Sequence, residues 1–183
     1  MTLNKNLLKR YPKLLQAASK DINIQKAIQL AYSAHKNQKR MDGEEYYHHV
    51  FRVAEDCCRY DNDTIVLALL HDVVEDTDIT VERIEDSGIN IANTKEDLIL
   101  LSKDEQTMYD TFVINIFNSF RFKAIWVKRS DLKDNINSLH KLMALYPRNK
   151  KKYESRLIKY NLSLFILDLS SEINDARQCR SLD

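Results

Sequence analysis

Only two glycines, Gly43 and Gly88, and two prolines, Pro12 and Pro147, punctuate a chain of 183 residues. Glycine supplies the positive-φ positions of tight turns, and proline fixes the bends at which regular elements start and stop. A β-sandwich or barrel needs a turn roughly every 8–12 residues. A chain this poor in turn residues is expected to be all-α. Its length suits one domain, residues 1–183, large enough to close a core without disulfide staples.

Apolar residues at helical spacing predict helices over about 3–19, 22–38, 46–60, 62–76, 80–87, 94–102, 105–119, 122–140 and 149–170. Asp61 to Thr64 offers N-caps to the apolar run behind it, and Thr94-Lys95-Glu96-Asp97 has capping-box spacing. Thr64 to Ala68 reads as buried on every side, and Ala124 to Val127 as core. The polar stretch Lys39 to Glu45 is a loop that could reach a ligand. Arg148 to Lys152 is the one basic run and reads as an exposed helix start.

With 28 basic and 27 acidic residues the net charge is +1, so no overall field recruits nucleic acid or a membrane surface. Cys57, Cys58 and Cys179 form neither a disulfide framework nor a zinc ribbon. No apolar run approaches the roughly 18 residues of a membrane span, and the first residues lack a secretory signal. A cytoplasmic location is expected. Partners must come from local sites, and oligomeric state is not encoded in any motif.

The local site is Leu69-Leu70-His71-Asp72-Val73-Val74-Glu75-Asp76-Thr77, which continues a buried run with one imidazole and three carboxylates. Unpaired charge in apolar surroundings costs several kcal/mol, so a cation, a salt-bridge partner or escape to solvent must compensate. On a continuous helix His71 would stack over Glu75 and Asp72 over Asp76. Two further stretches bring matching groups: Gly43-Glu44-Glu45-Tyr46-Tyr47-His48-His49 offers histidines at a helix start, and Lys128-Arg129-Ser130-Asp131-Leu132-Lys133-Asp134-Asn135 offers an acid and an amide at i and i+4. Two imidazoles with two carboxylates suit Mn, Fe or Zn.

Taken in order, these stretches resemble the HD-domain metal-dependent phosphohydrolases, and in particular the hydrolase half of the RelA/SpoT enzymes and the small alarmone hydrolases. Gln38, Arg40, Gly43, Tyr46, His49, Val53 and Ala54 match the family's Q-x-R-x-x-G-x-P-Y-x-x-H-P-x-x-V-A. His71, Asp72, Glu75, Asp76 and Thr77 match its L-L-H-D-x-x-E-D-T. Leu101-Ser102-Lys103 matches L-T-K with Ser for Thr, and Lys128, Asp131 and Asn135 match K-L-A-D-x-x-x-N. The resemblance spans about residues 27–139 and leaves the C-terminal helix, about 149–170, unassigned.

The resemblance implies a single HD-domain helical bundle in which His49, His71, Asp72 and Asp131 hold one metal, usually Mn²⁺. It implies that Glu75 and Asp76 handle the attacking water, while Arg40, Tyr46 and Asn135 contact a small nucleotide. The reaction it implies is removal of the 3′-pyrophosphate of (p)ppGpp to leave GDP or GTP, without synthesis of that substrate. His35 is assigned to packing, His48 to the surface, and His140 to an inert position just past a helix end. Glu45 and Val50 stand where the family has proline, Met41 where the long enzymes often have Lys, and Asn137 where the family places Arg. The last two departures weaken (p)ppGpp relative to a less charged nucleotide. Another HD nucleotide phosphohydrolase, acting on a dNTP, a nucleoside monophosphate or NADPH, stays open as an alternative, as does a module that senses nucleotide without turnover.

Overall fold

The computed structural model describes the backbone of residues 5–104 and 106–180 and the side chains of 6–104 and 106–170. Among these residues the fold is an all-α bundle with no strand; one isolated bridge joins Lys39 and Glu45. The helices are α1 (Lys5–Leu8), α2 (Pro12–Ala18), α3 (Ile22–His35), α4 (Tyr47–Cys57), α5 (Asn62–Leu70), α6 (Val73–Asp76), α7 (Val81–Asp86), α8 (Lys95–Leu101), α9 (Tyr109–Asn118), α10 (Phe122–Leu145) and α11 (Lys150–Arg180). A 3₁₀ turn, Pro147–Asn149, separates the last two.

Helix α5 is the axis of the bundle. Every residue from Thr64 to Leu70 is buried, with α3, α4, α8 and α10 packed around it. Its start is set as the sequence predicts: the Asp61 carboxylate accepts from the Thr64 backbone N–H at 2.8 Å and from its hydroxyl at 2.6 Å. Leu67, 1% exposed, lies in the middle of this packing. Leu67→Ala is expected to cost about 2–5 kcal/mol, read as a shifted midpoint in chemical denaturation.

Several boundaries differ from expectation, each for a local reason. Pro12 divides the first predicted helix, because α2 begins on it. Thr94 makes no side-chain cap; Asp97, the partner expected for a capping box, is instead buried against Arg121, whose Nε lies 2.9 Å from its Oδ1. Trp126 is half-buried and stacks on Tyr60 at 4.2 Å, outside the core. Helix α10 runs on to Leu145, so His140 is an exposed residue within it and not one beyond its end. Helix α11 reaches Arg180, ten residues past the expected stop. Arg148 and Lys150 to Lys152 are exposed at its start, as predicted.

The break that matters most falls at His71 and Asp72. They do not share one helix with Glu75 and Asp76: α5 ends at Leu70, and α6 starts at Val73. The backbone stays right-handed through the joint, with Asp72 at φ −99° and ψ −6°, and the Asp76 N–H still donates to the Asp72 carbonyl at 2.8 Å. His71 and Asp72 therefore sit at a corner between two helices. On the other side of the site Lys39 to Glu45 is a tight hairpin: Arg40 N–H donates to the Glu44 carbonyl, Gly43 N–H to the Arg40 carbonyl, and Tyr46 N–H to the Gln38 carbonyl. Gly43 takes φ +86°, a conformation that favours glycine.

Candidate active site

Four donor atoms from three places in the chain meet. His49 comes from the first turn of α4, His71 and Asp72 from the corner after α5, and Asp131 from the middle of α10. His49 Nε2 lies 3.4 Å from Asp72 Oδ2 and 3.3 Å from Asp131 Oδ1. His71 Nε2 lies 3.1 Å from Asp72 Oδ2 and 4.0 Å from Asp131 Oδ1. His49, His71 and Asp72 offer ligand atoms all within 4.8 Å of one another. All four side chains are buried.

The proton positions say what this cluster is suited to hold. His71 Nδ1 donates to the Ala68 carbonyl at 2.8 Å, and His49 Nδ1 faces Asp134 Oδ2 at 2.8 Å. A carbonyl or a carboxylate can only accept, so both Nδ1 atoms carry the hydrogen, and each Nε2 faces the carboxylates either as the N–H of an imidazolium or as a lone pair open to a metal. Both Nε2 atoms are buried without a hydrogen-bond partner. Lone pairs facing carboxylate oxygens at these distances repel unless a positive charge lies among them. Burial pulls the His49 pKa down, but Asp131, Asp134 and Asp72 outweigh it and push it up to about 10. Positive charge is favoured here, as ring protons or as a metal ion, and two imidazole nitrogens with two carboxylate oxygens fit a divalent metal.

Around this centre the other expected residues fall into place with changed partners. The Tyr46 hydroxyl is 2.8 Å from both Asp72 Oδ2 and Asp76 Oδ2, and its ring stacks on His35 at 4.9 Å. A hydroxyl has one hydrogen to give, so the second contact is satisfied only when Asp76 carries a proton. Burial and the nearby Asp72 raise the Asp76 pKa, which favours that state. Burial also raises Glu75, against the pull of Lys128 and of the Lys103 N–H, which donates to Glu75 Oε2 at 3.3 Å.

Arg40 and Asn135, expected on the substrate, are also braces of the site. Arg40 Nη1 pairs with Asp134 Oδ2 at 2.8 Å, and its Nη2 donates to Asn135 Oδ1 at 2.9 Å. Asn135 Nδ2 in turn donates to Asp131. His35 is buried with Nδ1 on Gln38 Oε1 at 2.7 Å, in keeping with a packing role. His48 is not at the surface: it is buried and hydrogen-bonded to the Tyr11 hydroxyl. The Tyr11, Phe51 and Tyr47 rings pack around that corner.

Arg40, Tyr46 and Asn135 also line a cavity of about 230 Å³ together with Arg156 and Tyr160 from α11. Arg156 reaches across to Met41, its Nη1 3.6 Å from the thioether sulfur. A cation therefore hangs over the position where the sequence lacks one. Nothing in the sequence pointed to Arg156 or Tyr160, because α11 carries no motif. Asp134 was equally missed, although it lies three residues from Asp131 on the same helix face. Among the described residues no helix is long and apolar enough to cross a membrane.

Residues 27–107 match a protein family described as HD domain. A guanosine-3′,5′-bis(diphosphate) 3′-pyrophosphohydrolase of Aquifex aeolicus is 33% identical over 141 residues, 73% of this chain and 19% of that protein. A GTP pyrophosphokinase of Brucella melitensis is 36% identical over 95 residues, 49% of this chain and 13% of that protein. The chain spans less than a fifth of the length of these relatives. Among solved structures, one described as a metazoan ortholog of SpoT that hydrolyzes ppGpp superposes with a TM-score of 0.56 at 20% identity. The superposition covers 81% of this chain and 93% of that one, and at this identity it establishes a common fold.

Proposed function

We propose, from the match of residues 27–107 to a family described as HD domain, that this chain is a phosphohydrolase that removes the 3′-pyrophosphate of guanosine-3′,5′-bis(diphosphate) or its triphosphate counterpart, giving GDP or GTP and pyrophosphate. The observation that carries the reading is the pair of buried, partnerless Nε2 atoms turned toward two carboxylates, with Glu75 and Asp76 on the next turn of chain. The activity named for the Aquifex relative supplies the substrate. Packing of α11 on α9 and α10, and its share of the cavity wall, support treating residues 1–183 as one hydrolase domain.

His49, His71, Asp72 and Asp131 would hold the metal; the donor set suits Mn, Fe or Zn, and the resemblance to the alarmone hydrolases makes Mn²⁺ the expected ion. A divalent cation there lowers the pKa of a water and offsets phosphoryl charge. Glu75 takes the proton as water oxygen attacks the phosphorus attached to the ribose 3′ oxygen; that P–O bond breaks, and the leaving 3′ oxygen takes up a proton from solvent. Asp76 keeps Tyr46 in register with Asp72 through the shared hydroxyl contact. The cavity receives the nucleoside and its 5′ phosphates, with Arg156 and Lys39 as cations on its wall and Arg40 and Asn135 at the junction with the metal ligands. Arg156 supplies the charge that Met41 and Asn137 do not. Free Cys57 and Cys58 are compatible with a reducing cytoplasm.

The test is product identity. Mn²⁺-loaded protein incubated with ppGpp is expected to yield GDP and pyrophosphate, resolved by ion-exchange chromatography, and no ppGpp when given ATP and GDP. Release of triphosphate from a dNTP, or of orthophosphate from a monophosphate or NADPH, with ppGpp left intact would overturn the substrate while keeping the hydrolase.

A further inference from the structure

Asp134 lies outside the four candidate ligands, yet it is the most heavily engaged acid of the site. Its Oδ2 takes the His49 Nδ1–H at 2.8 Å and Arg40 Nη1 at 2.8 Å, and Arg52 binds both of its oxygens. Arg52 is held from behind by Glu44, at 2.9 Å and 2.7 Å to the two carboxylate oxygens. A carboxylate offers about four lone-pair sites, so Asp134 has none left for a metal or a phosphate partner. His49, Arg40 and Arg52 together occupy both of its oxygens and hold the carboxylate against the ring.

We infer that Asp134 is a positioning residue, which fixes the His49 ring with Nδ1 protonated and Nε2 presented to the other three donors. The competing role is mechanical: Arg40 and Glu44 belong to the hairpin before α4, so Asp134 could serve only to tie that hairpin to α10. The two roles separate chemically. Asparagine at this position can turn its amide N–H toward the ring, which moves the ring hydrogen to Nε2 and closes the donor atom. Arg52→Gln loosens the tie while leaving the Asp134 carboxylate against His49.

The inference rests on His49 being a ligand, and the test is Mn²⁺ affinity of the full chain by titration calorimetry. Asp134→Asn is expected to weaken binding about 10- to 100-fold, the usual effect of losing the partner of a ligating histidine. Arg52→Gln is expected to bind Mn²⁺ much as the unmodified chain does. In the unmodified chain loaded with diamagnetic Zn²⁺, nitrogen-detected NMR should place the His49 hydrogen on Nδ1, a readout that needs no variant to fold. Unchanged affinity in Asp134→Asn, an equal loss in Arg52→Gln, or a hydrogen on Nε2 would each overturn the assignment. Failure of the underlying ligand reading looks different: the unmodified chain would bind no metal at all.

Discussion

Asp131→Ala is expected to abolish bound metal and hydrolysis together. The substitution removes the oxygen 3.3 Å from His49 Nε2, leaving two imidazoles and one carboxylate. It also strips Lys128 of its partner, since Asp131 Oδ2 is the carboxylate 2.8 Å from that buried ammonium. Breaking a buried pair from one side costs about 3–5 kcal/mol, so the single variant will lose stability as well. Asp131→Ala combined with Lys128→Met removes the orphaned charge and is expected to regain much of that stability without regaining metal. Elemental analysis and thermal melting, read side by side, separate the two effects. Stoichiometric metal in either variant would remove Asp131 from the ligand set.

The second large effect is expected of Glu75→Gln, which keeps the shape and removes the proton acceptor. Metal content should stay unchanged while turnover falls about 10²- to 10⁴-fold, the range for a positioned general base. Burial raises the Glu75 pKa, helped by Asp72 and Asp76 and opposed by Lys128. A base with a raised pKa is active above that value and lost below it. Activity of the unmodified chain should therefore fall as pH drops through a point above the ordinary glutamate value, and this acid limb should vanish from the residual rate of Glu75→Gln. A rate close to that of the unmodified chain would remove Glu75 from the role of base.

The part of the site legible in the sequence was the part written in charge against an apolar background. His71 and Asp72 stood out because they follow seven consecutive buried residues, and Asp131 because it follows Ala124 and Ile125. The all-α fold followed from the shortage of turn residues. What could not be read was anything decided by a corner or by a distant partner. The joint between α5 and α6 replaces the expected continuous helix face, yet it delivers the same side chains because the backbone remains right-handed there. His48 looks like a surface residue beside His49 until Tyr11, 37 positions earlier, covers it. Arg40 reads as a free cation until Asp134, 94 positions later, accepts from it.

The wall of the cavity has a consequence for how such a chain can change. The groups proposed to break the bond reside at His49, His71 to Asp76 and Asp131, whereas Arg156 and Tyr160 sit on a helix more than forty residues beyond the end of the family match at 107. Under the proposed function, part of the wall that would meet the substrate is therefore supplied by a helix that carries none of the proposed hydrolytic residues. If the proposed function holds, changes confined to α11 are expected to alter the cavity wall at Arg156 and Tyr160 while leaving His49, His71 to Asp76 and Asp131 in place. The exposed outer face of α11 imposes little packing constraint on the way, since Ile158, Leu162 and Phe165 are each more than half exposed. Under that reading, α11 is a place at which to begin redesigning selectivity.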